Sequence, residues 1–225
     1  MKRIPRASAA GRSVRGRRSL SHPHFSTKER ILSAAEELVA RHGFAGASLR
    51  AVTATANVNL AAVNYHFGSK ENLINEVFRR RLDQLTETRL NALKAAKQRP
   101  DPTLENILVA FVEPAFELTR DHQGGAAFMR VLARAYAEHD QRLRKFLSDN
   151  YGQVLREFAR AIAPTLPALG KEELYWRMDF VAGALTYAMA DFGLIKRPAG
   201  VSERSHCEKA SQALIRFAAA GLRAT

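Results

Sequence analysis

The sequence predicts an all-α fold in two parts, on three observations. Apolar residues recur at helical spacing from residue 26 almost to the end, no stretch alternates in the way a half-buried strand does, and the interruptions carry helix-start and helix-stop residues. The predicted division is a basic tail over 1–25, a three-helix unit over 26–73 and a larger helical domain over 74–225.

The elements follow in order. Ser26-Thr27-Lys28-Glu29 has the form of a capping box, in which the Ser26 hydroxyl takes the third backbone N–H and Glu29 reaches back. A helix is predicted from there to 42, with Ile31, Leu32, Ala35, Leu38 and Val39 on its apolar face. Gly43 is placed to end it as a left-handed residue, sending Phe44 into the core. Ser48 caps a second helix that turns Leu49, Val52 and Ala56 inward. Asn57-Val58-Asn59 makes a tight corner in which Asn57 takes positive φ, and Asn59 caps a third helix over 60–66. Ser69 caps a long fourth helix over 70–98, stopped by Pro100-Asp101-Pro102. A fifth is predicted over 103–120, kinked or interrupted at Pro114, and 121–125 reads as a turn. Further helices are predicted over 126–138, 141–163, 171–195 and 202–220, separated by prolines and glycines.

The third helix carries the most specific chemistry. Leu60, Val63 and Phe67 follow the i, i+3, i+7 spacing of a buried stripe. That stripe leaves Tyr65 and Ala62 pointing most directly away from the core, Ala61 outward, and Asn64 and His66 flanking. A short helix with small and polar residues outward fits the major groove of DNA, which requires a close approach and offers donors and acceptors. The charge supports a polyanionic partner. The net +13 is made of +7 over residues 1–25, +4 over 26–97 and +2 over 98–225, so it gathers on the tail and the helix-turn-helix half.

The run of a helix, Gly43-Phe44, Ser48-Leu49-Arg50 and NVNLAAVNYHFGSKENL resembles the TetR family of bacterial transcriptional repressors over about 27–73. The resemblance implies an all-helical homodimer whose first three helices bind palindromic double-stranded operator DNA, while the rest binds an inducer and dimerises. Carried onto this chain, the DNA-facing set is Ser48, Arg50, Asn59, Ala61, Ala62, Asn64, Tyr65, His66 and Lys70. Asn64, Tyr65 and His66 are expected to touch DNA directly, with Asn59 and Ala61 close to base edges. Ser48 and Lys70, at helix starts, are expected to bind phosphate. The sequence departs from the family pattern at Asn57, where a glycine is usual, at Ala62, where a hydroxyl is frequent, and at Asn64, which stands for the first of two tyrosines. NLAAVNYHFGSK and ELYWRMDFVAGALTYAMADF are further similar to the branch responding to long-chain fatty acids, which implies a fatty acid or its coenzyme A thioester as inducer.

In the second domain, Leu174, Met178, Val181, Leu185, Ala188, Phe192 and Ile195 alternate steps of four and three, and Cys207, Ala210, Leu214, Phe217 and Gly221 repeat the seam. We expect a dimer interface there, centred on Leu174, Met178, Val181, Leu185, Phe192, Leu214 and Phe217; the rival is packing within one subunit. Aromatic residues crowd the middle helices. Most at such spacing form core, but Phe111, Phe116, Phe128, Tyr136, Tyr151, Trp176 and Tyr187 are candidates to line an apolar ligand pocket. Arg130 and Arg134, one turn apart, are candidates to hold an anionic head group or, alternatively, solvated surface.

The tail is too poor in apolar residues to fold alone. It reads as an inert tail or start-codon artefact, as an arm lying on DNA, or as a targeting segment. No apolar run reaches the ~20 residues of a membrane span, and Cys207 is the only cysteine, which fits a reducing cytoplasm. The seven histidines show no metal-ligand spacing, no phosphate loop or nucleophile motif occurs, and neither an enzyme nor a cofactor is expected. The rival function is a helical small-molecule-binding or interaction protein whose helix-turn-helix is merely structural.

Overall fold

The computed structural model describes residues 25–120, 125–137, 141–190 and 197–224. All regular structure among them is helical: α1 (Thr27–Gly46), α2 (Leu49–Ala56), α3 (Leu60–Phe67), α4 (Lys70–Lys97), α5 (Leu104–Thr119), α6 (Gly125–Ala137), α7 (Gln141–Ile162), a 3-10 turn (Ala163–Thr165), α8 (Lys171–Met189) and α9 (Glu203–Arg223).

The start signals act as the residue types require. Ser26 and Glu29 form the capping box, Ser26 Oγ accepting from Glu29 N at 3.2 Å and Glu29 Oε2 from Ser26 N at 2.8 Å. Bonding to Ser26 holds the Glu29 carboxyl below its ordinary value. Ser48, Asn59 and Ser69 each accept the N–H three residues on, of Ala51, Ala62 and Asn72. Gly43 has the expected positive φ, 74°, but it kinks α1 rather than ending it, and a further turn carries the helix to Gly46. Phe44 is only partly buried, its ring stacked on Phe78 at 6.3 Å between centroids. Asn57 has φ 51° and ψ 55°, the left-handed conformation that the corner needs.

Two apolar cores result. Ile31, Leu32, Ala35, Val52, Val63 and Phe67 close a small one between α1, α2 and α3, completed by Leu73 and Val77 of α4. Ile74, Phe78, Leu82 and Leu85, on the next face of α4, enter the large core shared by α5 to α9. The far end of α1 joins that larger core through Val39 and Ala40. α4 thus belongs to both. Buried beside it, Arg81 holds Glu36 of α1 through two guanidinium nitrogens, each at 3.3 Å. Arg134 of α6 adds bonds to the carbonyls of Ala40 and Arg41, at 3.3 and 3.4 Å.

Four expectations need correction. Leu60 is 47% exposed instead of closing the buried stripe, because it stands at the open first position of α3, before that helix reaches its neighbours. α5 passes through Pro114 as one uninterrupted helix. Proline removes the donor that would serve the Ala110 carbonyl, but its fixed φ of about −65° is itself helical, and the helix continues to Thr119. Gly125 begins α6 instead of closing the preceding turn. The fourth concerns the seam on α8 and α9. Leu174, Met178, Val181, Leu185 and Leu214 are buried inside their own subunit, which removes them from an interface. α8 is apolar on two opposite faces, and the seam is the inner one. Trp176, Phe180 and Tyr187 form the outer ridge at i, i+4 and i+11, beside Gly183 and with Phe217 of α9 also exposed. Phe192 and Ile195 lie outside the described residues, as do residues 121–124, all but one of the predicted turn.

Candidate nucleic-acid interface and ligand cavity

α3 is presented by its two ends. At its start, the Asn59 side chain accepts Ala62 N at 2.8 Å. At its end, Gly68, with φ 72°, returns its N–H to the Asn64 carbonyl, and Asn72 Nδ2 donates to the Phe67 carbonyl at 3.0 Å. Val63 and Phe67 pin the inner face. Ala61, Asn64, Tyr65 and His66 are left exposed, with Tyr65 at 86% and its ring edge-on to His66 at 5.1 Å. Ala62, expected to point outward, is partly buried against the small core, since only the inward stripe of Val63 and Phe67 sets the orientation of so short a helix.

Ser48 and Arg50 are exposed at the start of α2. Lys70 stands in the first turn of α4, partly buried, and its Nζ donates to the Phe44 carbonyl at 2.6 Å. Sequence reasoning missed Arg30. Its guanidinium spans from α1 to the corner, donating to the Ala56 carbonyl at 2.9 Å and the Asn57 carbonyl at 2.6 Å. A cation placed there satisfies the last carbonyls of α2 and favours the negative end of that helix. The sequence signal was a lone basic residue flanking the apolar stripe of α1, too common to single out.

Farther along α4, over Leu82 to Arg89, a cavity of about 340 Å³ opens among α4 to α8. Its wall is mostly apolar, from residues such as Leu85, Met129, Leu132, Leu185 and Met189. Three of the expected residues line it: Phe111, Tyr136 and Tyr151. Tyr151 donates to Asp83 Oδ1 at 2.7 Å, and burial together with that carboxylate pushes its hydroxyl well above the ordinary range. The remaining expectations fail on position. Phe128 is core, Phe116 faces α9 near Cys207, and Trp176 and Tyr187 lie on the outer ridge of α8. Arg134 is bound to α1, and Arg130 does not line the cavity. The cation in the wall is instead Arg89, joined by Arg144, with Thr86, Ser148, Asp179 and Thr186 as further polar groups. Arg89 occupies a position of the apolar stripe of α4, four residues from both Leu85 and Leu93, and that misplacement was visible in the sequence.

Among the described residues no His, Cys, Asp and Glu side chains group as metal ligands, and no helix is long and apolar enough to cross a membrane.

Residues 31–77 match the family described as bacterial regulatory proteins, tetR family, and residues 109–221 match its tetracyclin repressor-like C-terminal domain, which alone spans half of the chain. The chain belongs to the TetR family. It is a DNA-binding transcriptional regulator of that family, and α2 and α3 are its helix-turn-helix. Among curated proteins it is similar to the HTH-type transcriptional regulatory protein RaaS of Mycobacterium tuberculosis, 36% identical over 108 residues, which are 46% of this chain and 48% of that protein. The match thus spans about half the length of that relative. Solved structures of regulators share the fold at low identity. A TetR-like regulator from Rhodococcus sp. RHA1 covers 91% of this chain and all of its own, with a TM-score of 0.63 and 18% identity. The fatty acid degradation regulator FadR from Bacillus halodurans covers 88% and 98%, with 0.60 and 15%. A regulator from Saccharomonospora viridis in complex with choline covers 84% and 94%, with 0.58 and 18%.

Proposed function

We propose that this TetR-family regulator is a cytoplasmic repressor, a homodimer that holds a palindromic operator through α3 and leaves it when a small, largely apolar molecule fills the cavity beside α4. The observation that carries the reading is the placement of both sites on one helix. α4 closes the small core that orients α3 and also walls the cavity, so a change in the cavity reaches the DNA face through a single rigid element. Asn64, Tyr65 and His66 read the groove, Asn59 and Ala61 set the closeness of approach, and Ser48, Arg50 and Lys70 meet phosphate. A single eight-residue helix binds weakly alone, and two of them must stand about one DNA turn, ~34 Å, apart to read a palindrome. The exposed ridge of Trp176 and Phe180, whose rings lie 6.2 Å apart, supplies an apolar face for the second copy, and Phe217 of α9 is exposed as well.

The apolar wall favours a fatty acid or its coenzyme A thioester as the effector, in keeping with the similarity of fold to a fatty acid degradation regulator. Release is a population shift. Moving from 1:99 to 99:1 takes about 5.5 kcal/mol of differential affinity between the two spacings of α3 and its partner-subunit copy.

Fluorescence anisotropy on an operator fragment, run over a salt series, tests the reading. Specific binding falls with a log–log slope of about −0.9 per phosphate contacted. Decanoate or decanoyl coenzyme A, of an acyl length in keeping with a cavity of about 340 Å³, lowers the affinity when added at fixed salt. An interaction protein without regulated DNA binding shows neither the slope nor the sequence preference. If DNA binding is specific but both lipids leave it unchanged, the lipid effector is wrong.

A further inference from the structure

α4 places two arginines on its inward side, two turns apart, and the structure treats them differently. Arg81 meets the Glu36 carboxylate and is neutralised in the core. Arg89 meets no carboxylate. Its Nε donates to the Phe111 carbonyl at 2.9 Å and its Cζ lies 4.0 Å from the centroid of the Phe111 ring. Among the described residues no acceptor takes its two terminal nitrogens, and the side chain lines the cavity. Burial lowers its pKa to about 10, which leaves it cationic at neutral pH. Arg89 is partly buried and its terminal nitrogens open onto the cavity, so a cation facing an apolar wall there gains when an anion joins it.

We propose that Arg89 is the anchor of the effector site and takes a carboxylate, so that the effector is a small anionic amphiphile with a free acid group rather than a neutral or cationic one. The inference rests on reading the cavity as the effector site. The free terminal nitrogens present the parallel donors that a carboxylate accepts, while Leu85, Leu132 and Met189 receive the chain. A volume of about 340 Å³ is at the lower end of the ~300–1,000 Å³ typical of small-molecule sites, so the ligand is of medium length. A thioester has no negative charge at the acyl end and leaves Arg89 unmatched, which separates the free acid from its coenzyme A derivative. Asp179 lines the same cavity and is exposed, forming no ion pair with Arg89. Arg144 also lines it, and its Nη2 donates to the Tyr136 carbonyl at 3.4 Å.

Titration calorimetry of the full chain with decanoate, decan-1-ol and decyltrimethylammonium tests this without any substitution. Decanoate is expected to bind roughly ten- to a hundred-fold more tightly than the alcohol, as a charge-assisted bond supplies, and the cationic probe more weakly than either. Equal affinity for acid and alcohol, or preference for the cationic probe, overturns the proposal. Arg89→Met should keep the affinity for decan-1-ol and lose the preference for the acid, with Arg89→Lys recovering part of it. If Arg144→Met removes the preference and Arg89→Met does not, the anchor is misassigned. Thr186→Trp, which fills the cavity, should abolish binding of the acid and the alcohol. Binding that survives it, or no binding of either probe to the parent chain, overturns the cavity reading and this inference with it.

Discussion

Tyr65 shows how little a side chain need contribute to the fold in order to serve the surface. At 86% exposure it touches chiefly His66, so removing it leaves both cores intact. Tyr65→Ala is expected to weaken operator binding by about 1–3 kcal/mol, the worth of a good base-edge contact, with an unchanged melting temperature. Unaltered anisotropy on a natural operator would remove Tyr65 from the DNA face. Arg81 is the opposite case. Arg81→Met takes the arginine away from the buried Glu36 carboxylate and is expected to cost about 3–5 kcal/mol in urea unfolding. The pair Arg81→Met with Glu36→Leu should recover most of that, because two apolar residues replace both charges. No recovery in the double variant would mean that the pair is needed for more than mutual neutralisation.

At the scale of elements, the helix-turn-helix was nearly all legible in the sequence, because each boundary there is set by a local bond. Ser48, Asn59 and Ser69 cap from within three residues, and the positive φ of Asn57 belongs to one residue type's own tolerance. The second domain was less legible because its decisive contacts are distant in sequence. The Leu174 to Leu185 seam reads equally well as core or as interface, and only the packing of α6, α7 and α9 on α8 decides which. The cavity was misjudged for a related reason. Aromatic residues advertise a pocket by size, whereas the polar group in this wall, Arg89, is recognised by its place in an apolar stripe. One distant contact can be followed by pH. Arg223 of α9 bonds both Glu105 oxygens on α5, at 3.0 Å through Nη2 and more closely through Nη1, and lowers the Glu105 pKa. A carboxyl held low in the folded state stabilises above its unfolded value, 4.5, and loses that contribution as the pH falls through the folded value. Glu105→Gln should therefore cost under about 1 kcal/mol at pH 7, as exposed pairs do. In thermal melts the difference from the parent chain should close in acid below pH 4.5. A gap that persists there would assign the loss to packing.

For the whole molecule, the two faces of α8 make separable predictions. Phe180→Arg changes an exposed ridge residue, so the variant should fold with native helicity, run as a monomer in light scattering and lose operator affinity. Leu185→Arg places a charge in the subunit's own core and should unfold or aggregate instead. A dimeric, operator-binding Phe180→Arg protein would move the interface elsewhere. The sharing of α4 between the two cores bears on how such regulators can be recombined. A flexible linker tolerates a cut at any residue, but α4 is a 28-residue rod, about 42 Å long, with a head gripped at Leu73 and Val77 and a sensor gripped at Ile74 and, past the head's last contact, at Phe78, Leu82 and Leu85. Adding one residue after Val77 turns the sensor's contacts from Phe78 onward against the head by about 100° and lifts them ~1.5 Å. A chimaera that borrows this DNA-reading head must therefore keep the helical phase across 77–78, and grafts that shift it by whole turns of seven residues should transmit a signal where single-residue shifts fall silent.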